Sequence, residues 1–134
     1  MSKFEIKDSG QRQDFGTGAV RDTSDQKGSF DLLPFYAIYE VARVYQEGAK
    51  KYGRNNYRKG INLSRYLDAA LRHLMKAGAG FKDEPHFAQA AWNILSLIET
   101  KHMIDSGMLP KELDDLDNFS GNEWYSQKPV EKKE

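Results

Sequence analysis

The segment that decides the fold spans residues 84–105 and reads EPHFAQAAWNILSLIETKHMID. At 3.6 residues per turn, its apolar positions cover almost the whole circumference of a helix. They are Phe87, Ala88, Ala90, Ala91, Trp92, Ile94, Leu95, Leu97 and Ile98. We therefore expect a helix over residues 84–105 that is buried on nearly every side.

The polar residues of this helix form one stripe. Spacings of three and four residues place them on a single face: His86, Gln89, Asn93, Ser96 and Thr100. A buried polar group without a partner costs roughly 1–3 kcal/mol. The stripe must therefore meet the polar face of another helix, ordered water or a bound polar ligand.

Composition and charge narrow the class of protein. A chain of 134 residues is the usual size of one domain, and its formal net charge of +0 argues against a general binder of nucleic acid or membranes. The absence of cysteine excludes disulfides and Cys-ligated zinc. Without an apolar segment of signal-peptide or membrane-span length, we expect a cytoplasmic protein.

Two further helices precede the organising segment. Apolar periodicity predicts one over residues 35–52, ending at Gly53, and one over residues 63–77, with Asn62 as its N-cap. Asp83 is the expected N-cap of the third helix. Residues 1–29 show no sustained period and are interpreted as an N-terminal arm, residues 30–107 as the helical core, and residues 108–134 as a short acidic helix and irregular tail.

The predicted architecture is all-α. Three helices are too few to enclose a helix that is apolar on every side, so a partner subunit should supply the missing surface. We therefore expect a helical bundle completed by homo-oligomerisation, as a dimer or tetramer.

The first group of candidate functional residues is acidic. Carboxylates that converge from adjacent helices of a bundle commonly hold Mg²⁺ or Mn²⁺. The candidate metal ligands are Glu40, Glu47, Asp68, Asp83 and Glu84. The same spacings also describe a solvated surface of ion pairs, such as Asp68 with Arg72, and spacing alone leaves both interpretations open.

The second and third groups are cations and histidines. Lys27, Lys51, Arg54, Arg65 and Arg72 are candidates for clamping a polyphosphate, although each such side chain is more often solvent-facing. His73 and His86, on separate helices, could bind metal, transfer a proton or hydrogen-bond a base or sugar. A satisfied core histidine is the alternative. An HD-type phosphohydrolase is set aside because the sequence has no His-Asp dipeptide. It also has no P-loop, Rossmann fingerprint or Gly-x-Ser-x-Gly elbow.

Several ordered blocks over residues 18–100 resemble the phage dATP/dGTP diphosphohydrolase family (MazZ-type). They are Gly18-Ala19-Val20-Arg21-Asp22, residues 27–34 (KGSFDLLP), residues 48–53 (GAKKYG), Asn56-Tyr57, Leu63-Ser64-Arg65 with Asp68, residues 71–74 (LRHL), residues 83–86 (DEPH) and residues 90–93 (AAWN). The wider MazG-like superfamily carries Glu-Glu-x-x-Glu on one helix and Glu-x-x-Asp on the next. This sequence has neither, and its nearest counterparts are Glu40, Glu47 and Asp68.

The resemblance implies an all-α pyrophosphohydrolase that uses Mg²⁺ or Mn²⁺. Such an enzyme cuts a purine deoxynucleoside triphosphate, dGTP or dATP, to the monophosphate and pyrophosphate, here in phage metabolism that supplies dGMP towards 2-aminoadenine. The implied catalytic residues are Glu47, Asp68, Lys51 and Arg72. The implied substrate-binding residues are Lys27, Asn56, Tyr57, Arg65, His73, His86, Trp92 and Asn93. A non-catalytic helical nucleotide-binding module and a purely structural oligomer are the alternatives.

Overall fold

The computed structural model describes residues 4–116, and the predicted C-terminal tail beyond them lies outside the described residues. The described residues divide into two compact units, residues 4–34 and residues 35–116. Three helices account for most of the regular structure, so the predicted all-α class is confirmed. None of the helices between residues 4 and 116 combines the length and apolar character needed to cross a bilayer.

The N-terminal unit contains a β-hairpin where the sequence predicted an irregular arm. Strand β1 (Arg12–Asp14) pairs antiparallel with β2 (Val20–Asp22), and a 3₁₀ turn follows at Phe30–Leu32. Strands of three residues are too short to show an alternating pattern, which is why periodicity missed them. Within this unit the Asp22 carboxylate accepts hydrogen bonds from Ser9 and Lys27, and these bonds hold its pKa well below the usual value.

The helical unit consists of α1 (Phe35–Tyr52), α2 (Leu63–Gly78) and α3 (His86–Asp105). A 3₁₀ turn at Asn56–Lys59 lies between α1 and α2, and another at Lys111–Leu113 stands where a short acidic helix was expected. The predicted stop after α1 is confirmed, because Gly53 adopts φ 91° and its N–H donates to the Ala49 carbonyl.

Helix α3 packs against both other helices, and its polar stripe faces inward. His86, Asn93, Ser96 and Thr100 are at most 4% exposed. In the single chain Phe87 is 69% exposed and Ile98 59%, so burial of α3 on every side stays a prediction that requires a partner subunit. Two neighbouring helices cover only one face of α3, so its opposite, apolar face lies open.

The hydrophobic core lies where the end of α3 meets the start of α2. Leu63, Tyr66 and Ile104 are buried at its centre. The residues packed around them are Ile61, Trp92, Leu97, Leu109, Leu113 and Leu116. This core joins the segment after α3, through Leu109, Leu113 and Leu116, to α2 and α3.

Asn62 is confirmed at the N-cap position of α2, although its side chain makes no capping hydrogen bond, whereas the prediction of Asp83 as the N-cap of α3 is wrong. Asn62 precedes α2, but its side chain donates to Asp115, and it is Asp115 that accepts the free backbone N–H of Ser64. Pro85 takes the N-cap position of α3, while Asp83 bonds His86 instead. At α2 a tertiary contact from Asp115 replaces the local capping bond expected of Asn62, whereas at α3 Asp83 bonds His86, three residues along the chain, and does not cap the helix.

Candidate nucleotide site

The main cavity of the helical unit has a volume of about 910 Å³ and opens between the end of α1, the loop after it, α2 and the start of α3. This volume suits a ligand of nucleotide size. Most of its lining residues are polar, charged or aromatic, and they include Tyr45, Glu47, Lys51, Arg54, Asn55, Asn56, Tyr57, Arg65, Tyr66, His73, Glu84, Gln89, Trp92 and Asn93.

Three of the lining cations have no carboxylate partner among residues 4–116. Lys51, Arg54 and Arg65 form no ion pair within that part of the chain. By contrast, the Arg72 guanidinium lies 2.9 Å from the Asp68 carboxylate one turn away, a pair that is more than half exposed. The cavity therefore presents positive charge that can bind the oxygens of a polyphosphate.

Aromatic rings form one wall of this cavity. The Tyr45 ring lies 5.6 Å from the rings of both Tyr57 and Trp92, and the Tyr66 ring lies 6.1 Å from Trp92. Tyr45 and Ser96 share a hydrogen bond of 2.8 Å, which satisfies one member of the polar stripe. Burial raises the pKa of the Tyr45 phenol, so it stays a neutral hydroxyl near pH 7.

Two polar atoms on the α3 side of the cavity lack a partner. The indole Nε1 of Trp92 and the amide Oε1 of Gln89 are buried and make no hydrogen bond within residues 4–116. Each such group costs roughly 1–3 kcal/mol if it stays unpaired. Both atoms are covered by surrounding protein atoms, so a ligand reaches them only if neighbouring side chains move. Gln89 lines the cavity and was missed as a site residue, although it lies on the predicted polar stripe.

The two histidines are in direct contact. His73 Nδ1 lies 3.0 Å from His86 Nδ1, and His86 Nε2 lies 2.8 Å from an oxygen of Asp83. His86 is only 2% exposed, whereas His73 lines the main cavity. Burial lowers the pKa of His73, which favours its neutral form.

A second cavity of about 780 Å³ lies beside α1 and the start of α3. It is lined by three of the predicted metal ligands, Glu40, Asp83 and Glu84, and by His86. Asp83, Glu84 and His86 offer possible ligand atoms within 4.8 Å of one another, a group consistent with a metal cofactor. Glu84 lines both cavities.

The structure gathers most, but not all, of the predicted site residues. Glu47, Lys51, Arg65, His73, Asn93 and the pair Asn56-Tyr57 line the main cavity, together with Trp92. Asp68 and Arg72 line neither of the two cavities and pair with each other. Lys27 belongs to the N-terminal unit, where its ammonium lies 3.0 Å from Asp22.

Among residues 35–116, cations without an ion pair, carboxylates and an aromatic wall surround one cavity of nucleotide size, which is consistent with the class of all-α nucleotide-hydrolysing proteins. The chain belongs to the dATP/dGTP diphosphohydrolase family, because the family model described as "dATP/dGTP diphosphohydrolase, N-terminal" matches residues 17–107. It is therefore an enzyme of a family that hydrolyses nucleoside triphosphates, which disfavours the binding-module and structural alternatives. No curated protein and no solved structure matches the chain.

Proposed function

We propose that this protein hydrolyses dATP and dGTP to the nucleoside monophosphate and pyrophosphate. Water attacks the α-phosphorus, the bond from that phosphorus to the oxygen bridging to the β-phosphorus breaks, and pyrophosphate leaves. The observation that carries the proposal is the cavity in which Lys51, Arg54 and Arg65 lie beside an aromatic wall and form no ion pair with any carboxylate of the described part of the chain.

The cationic part of the cavity suits the triphosphate. Arg65 presents a planar guanidinium that can hold two phosphate oxygens at once, and Lys51 supplies a compact charge from the last turn of α1. Charge on the phosphate oxygens grows as the anhydride bond breaks, so fixed cations stabilise the transition state more than the substrate. The aromatic wall offers Tyr57 and Trp92 as faces on which a purine can stack.

We further propose that the reaction requires Mg²⁺ or Mn²⁺. The donor set fits hard cations, since carboxylates of Glu47 and Glu84 line the main cavity and those of Glu40 and Asp83 line the second cavity with Glu84. A bound ion supplies charge neutralisation and a more acidic water. Glu84 is the first residue we would assign to the ion, because it lines both cavities.

The test measures the products of dGTP and dATP with and without Mg²⁺ or Mn²⁺. We expect monophosphate and pyrophosphate in equal amounts, and metal-dependent turnover. Glu84→Gln should lower kcat/KM by roughly 100-fold or more, as loss of a group that stabilises transition-state charge does. Release of single orthophosphate, or turnover indifferent to both metals, would refute the proposed reaction.

The activity of Asp68→Asn is compared with that of Glu84→Gln, to decide which of the two carboxylates binds the metal ion. The sequence suggested Asp68 as a ligand, whereas its place on an exposed face beside Arg72 favours a surface ion pair. We expect Asp68→Asn to retain most activity. If it abolishes turnover while Glu84→Gln does not, the sequence-based assignment is the better one and the cavity-based assignment of Glu84 fails.

We also propose that the active form is a homo-oligomer. The open face of α3 carries Phe87, Ile94, Leu95 and Ile98, which are 39–69% exposed. A contiguous apolar helix face of this kind marks an interaction surface. The family resemblance favours a cytoplasmic role in phage purine metabolism, in which dATP is removed and dGMP is supplied towards 2-aminoadenine.

A further inference from the structure

We infer that Asp83 and His86 act through His73, fixing its tautomer so that Nε2 presents a lone pair to the cavity and accepts a hydrogen bond from the exocyclic amino group of a purine. This inference rests on the proposed function for its substrate, but its geometric part is independent of any activity. His73 is then a substrate-contacting residue, whereas Asp83 and His86 are positioning residues.

The first step follows from the Asp83 contact. An ionised carboxylate can only accept hydrogen bonds, so the 2.8 Å contact requires a proton on His86 Nε2. The hydrogen bond to His86 is also the main reason that the pKa of Asp83 lies below its usual value, which keeps that carboxylate ionised. When both rings are neutral, each has one N–H, so the proton on His86 Nε2 leaves a lone pair on its Nδ1.

The second step follows from the contact between the rings. The two Nδ1 atoms lie 3.0 Å apart, a distance that requires one proton between them. Because His86 Nδ1 is the acceptor, His73 Nδ1 is the donor. The proton of neutral His73 is then fully used, and its Nε2 is left as an acceptor on a residue that lines the main cavity.

The third step is the surroundings of His73. Along α2 it lies eight residues, or about 12 Å, from the phosphate-binding candidate Arg65. Its partner His86 shares one face of α3 with Gln89 and Asn93, which also line the cavity. The amide side chains of Gln89 and Asn93 therefore lie at the same end of the cavity as His73. Amides can donate and accept hydrogen bonds, which suits the edge of a nucleobase.

The fourth step is the match to the ligand. His73 Nε2 is an acceptor on a residue that lines the cavity, so a complementary base must bring an N–H donor to it. Adenine and guanine each carry an exocyclic amino group, whereas hypoxanthine has none. The site should therefore discriminate against dITP, because a base without the amino group leaves a buried acceptor unpaired.

The geometric part is tested by nitrogen NMR on histidine-labelled protein without nucleotide. His73, His86 and His102 are the histidines of the chain, so substitution assigns their signals. We expect His73 to carry its proton on Nδ1 and an unprotonated Nε2. A protonated Nε2, or the averaged signal of two tautomers, would overturn the inference.

Variants test whether Asp83 acts on His73 through His86, an effect called the relay below, or has only a structural role. Asp83→Ala should convert the His73 signals to a tautomer mixture, although Asp83 bonds His86 and not His73. Glu84→Gln, which alters the neighbouring carboxylate, should leave the His73 tautomer unchanged, with helicity by circular dichroism unchanged in both variants. Unaltered His73 signals in Asp83→Ala would reject the relay. So would displacement of the His86 Nε2 proton by Mg²⁺ or Zn²⁺ alone, since that result assigns His86 to a metal.

The substrate part is tested by comparing dGTP with dITP. The normal protein should favour dGTP in kcat/KM by roughly 10–100-fold, the cost of one unpaired buried acceptor. His73→Phe should reduce that preference several-fold or more while still hydrolysing dITP. Equal rates for both nucleotides in an active protein would refute this inference alone, whereas no turnover of any nucleotide would refute the proposed function.

Discussion

Replacing Asp115 with alanine should remove the tertiary cap of α2. One oxygen of this carboxylate accepts the Ser64 backbone N–H at 2.9 Å, and the other accepts the Ser64 hydroxyl at 2.6 Å and the Asn62 amide at 3.2 Å. Loss of an N-cap costs about 0.5–2 kcal/mol, and hydrogen bonds to a charged group exceed neutral ones. Because Asp115 is only half-buried, we expect a loss of about 2 kcal/mol in the free energy of unfolding.

The assay is thermal and urea unfolding at one fixed protein concentration, which keeps any oligomerisation constant. A loss of this size should lower Tm by roughly 8 °C in a domain of this length. Asp105→Ala is the matched control. Its carboxylate pairs with Lys101 at an exposed site, so its removal should cost no more than about 1 kcal/mol.

The pH dependence gives a second test of the same cap. Burial alone raises the pKa of Asp115, but the hydrogen bonds from Ser64 and Asn62 outweigh it and hold that pKa below its usual value near 3.8. A carboxyl group with a lowered pKa in the folded state stabilises the protein above its unfolded pKa and loses that effect as pH falls through its folded pKa. The stability difference between the normal protein and Asp115→Ala should therefore be constant from neutral pH to about pH 5 and shrink below about pH 4.

Two results would refute this reasoning. If Asp115→Ala destabilises no more than Asp105→Ala, the carboxylate does not cap α2. If the difference between normal protein and Asp115→Ala stays unchanged at low pH, the stabilisation does not depend on the ionised carboxylate.

Two further predictions concern backbone geometry and assembly. Gly60→Ala should lower Tm by several degrees, because Gly60 has φ 109° and an added Cβ would lie 2.9 Å from a leucine side chain. The control Gly48→Ala, in open space within α1, should raise Tm slightly. Equal effects of the two substitutions on Tm would contradict this prediction. Ile98→Glu should reduce the molar mass measured by light scattering from that of an oligomer to that of one chain. Met108→Glu, which changes an exposed residue outside α3, should leave the molar mass unchanged. An unchanged mass in Ile98→Glu would place the interface elsewhere.

Much of the helical unit could be predicted from the sequence because its signals are local. The predicted first helix agrees with α1 at both ends, and the predicted second helix differs from α2 by one residue. The stripe from His86 to Thr100 was correctly identified as one face, since helical periodicity alone sets it. Burial of that stripe was expected, but the sequence did not predict that α1 and α2 cover this face of α3 and leave its apolar face open, because that depends on which residues the two helices present to it.

The candidate site shows the same division. Lys51, Arg65, Asn56 and Trp92 were proposed from residue type and resemblance, and they line one cavity. Asp68 had the same kind of signal but pairs with Arg72 on an exposed face. Spacing along a helix fixes which residues share a face, but it does not fix whether that face borders a cavity.

The sequence by itself determined the helical class, the positions of the three helices, the polar stripe of α3 and, through its ordered motifs, the enzyme family. The tertiary structure alone decided that Asp115 caps α2, that His86 lies between Asp83 and His73, and that apolar residues such as Phe87 face outward. The physical reason is range: helical periodicity acts within a few residues, whereas these contacts join groups whose distance depends on how the helices and the C-terminal segment pack.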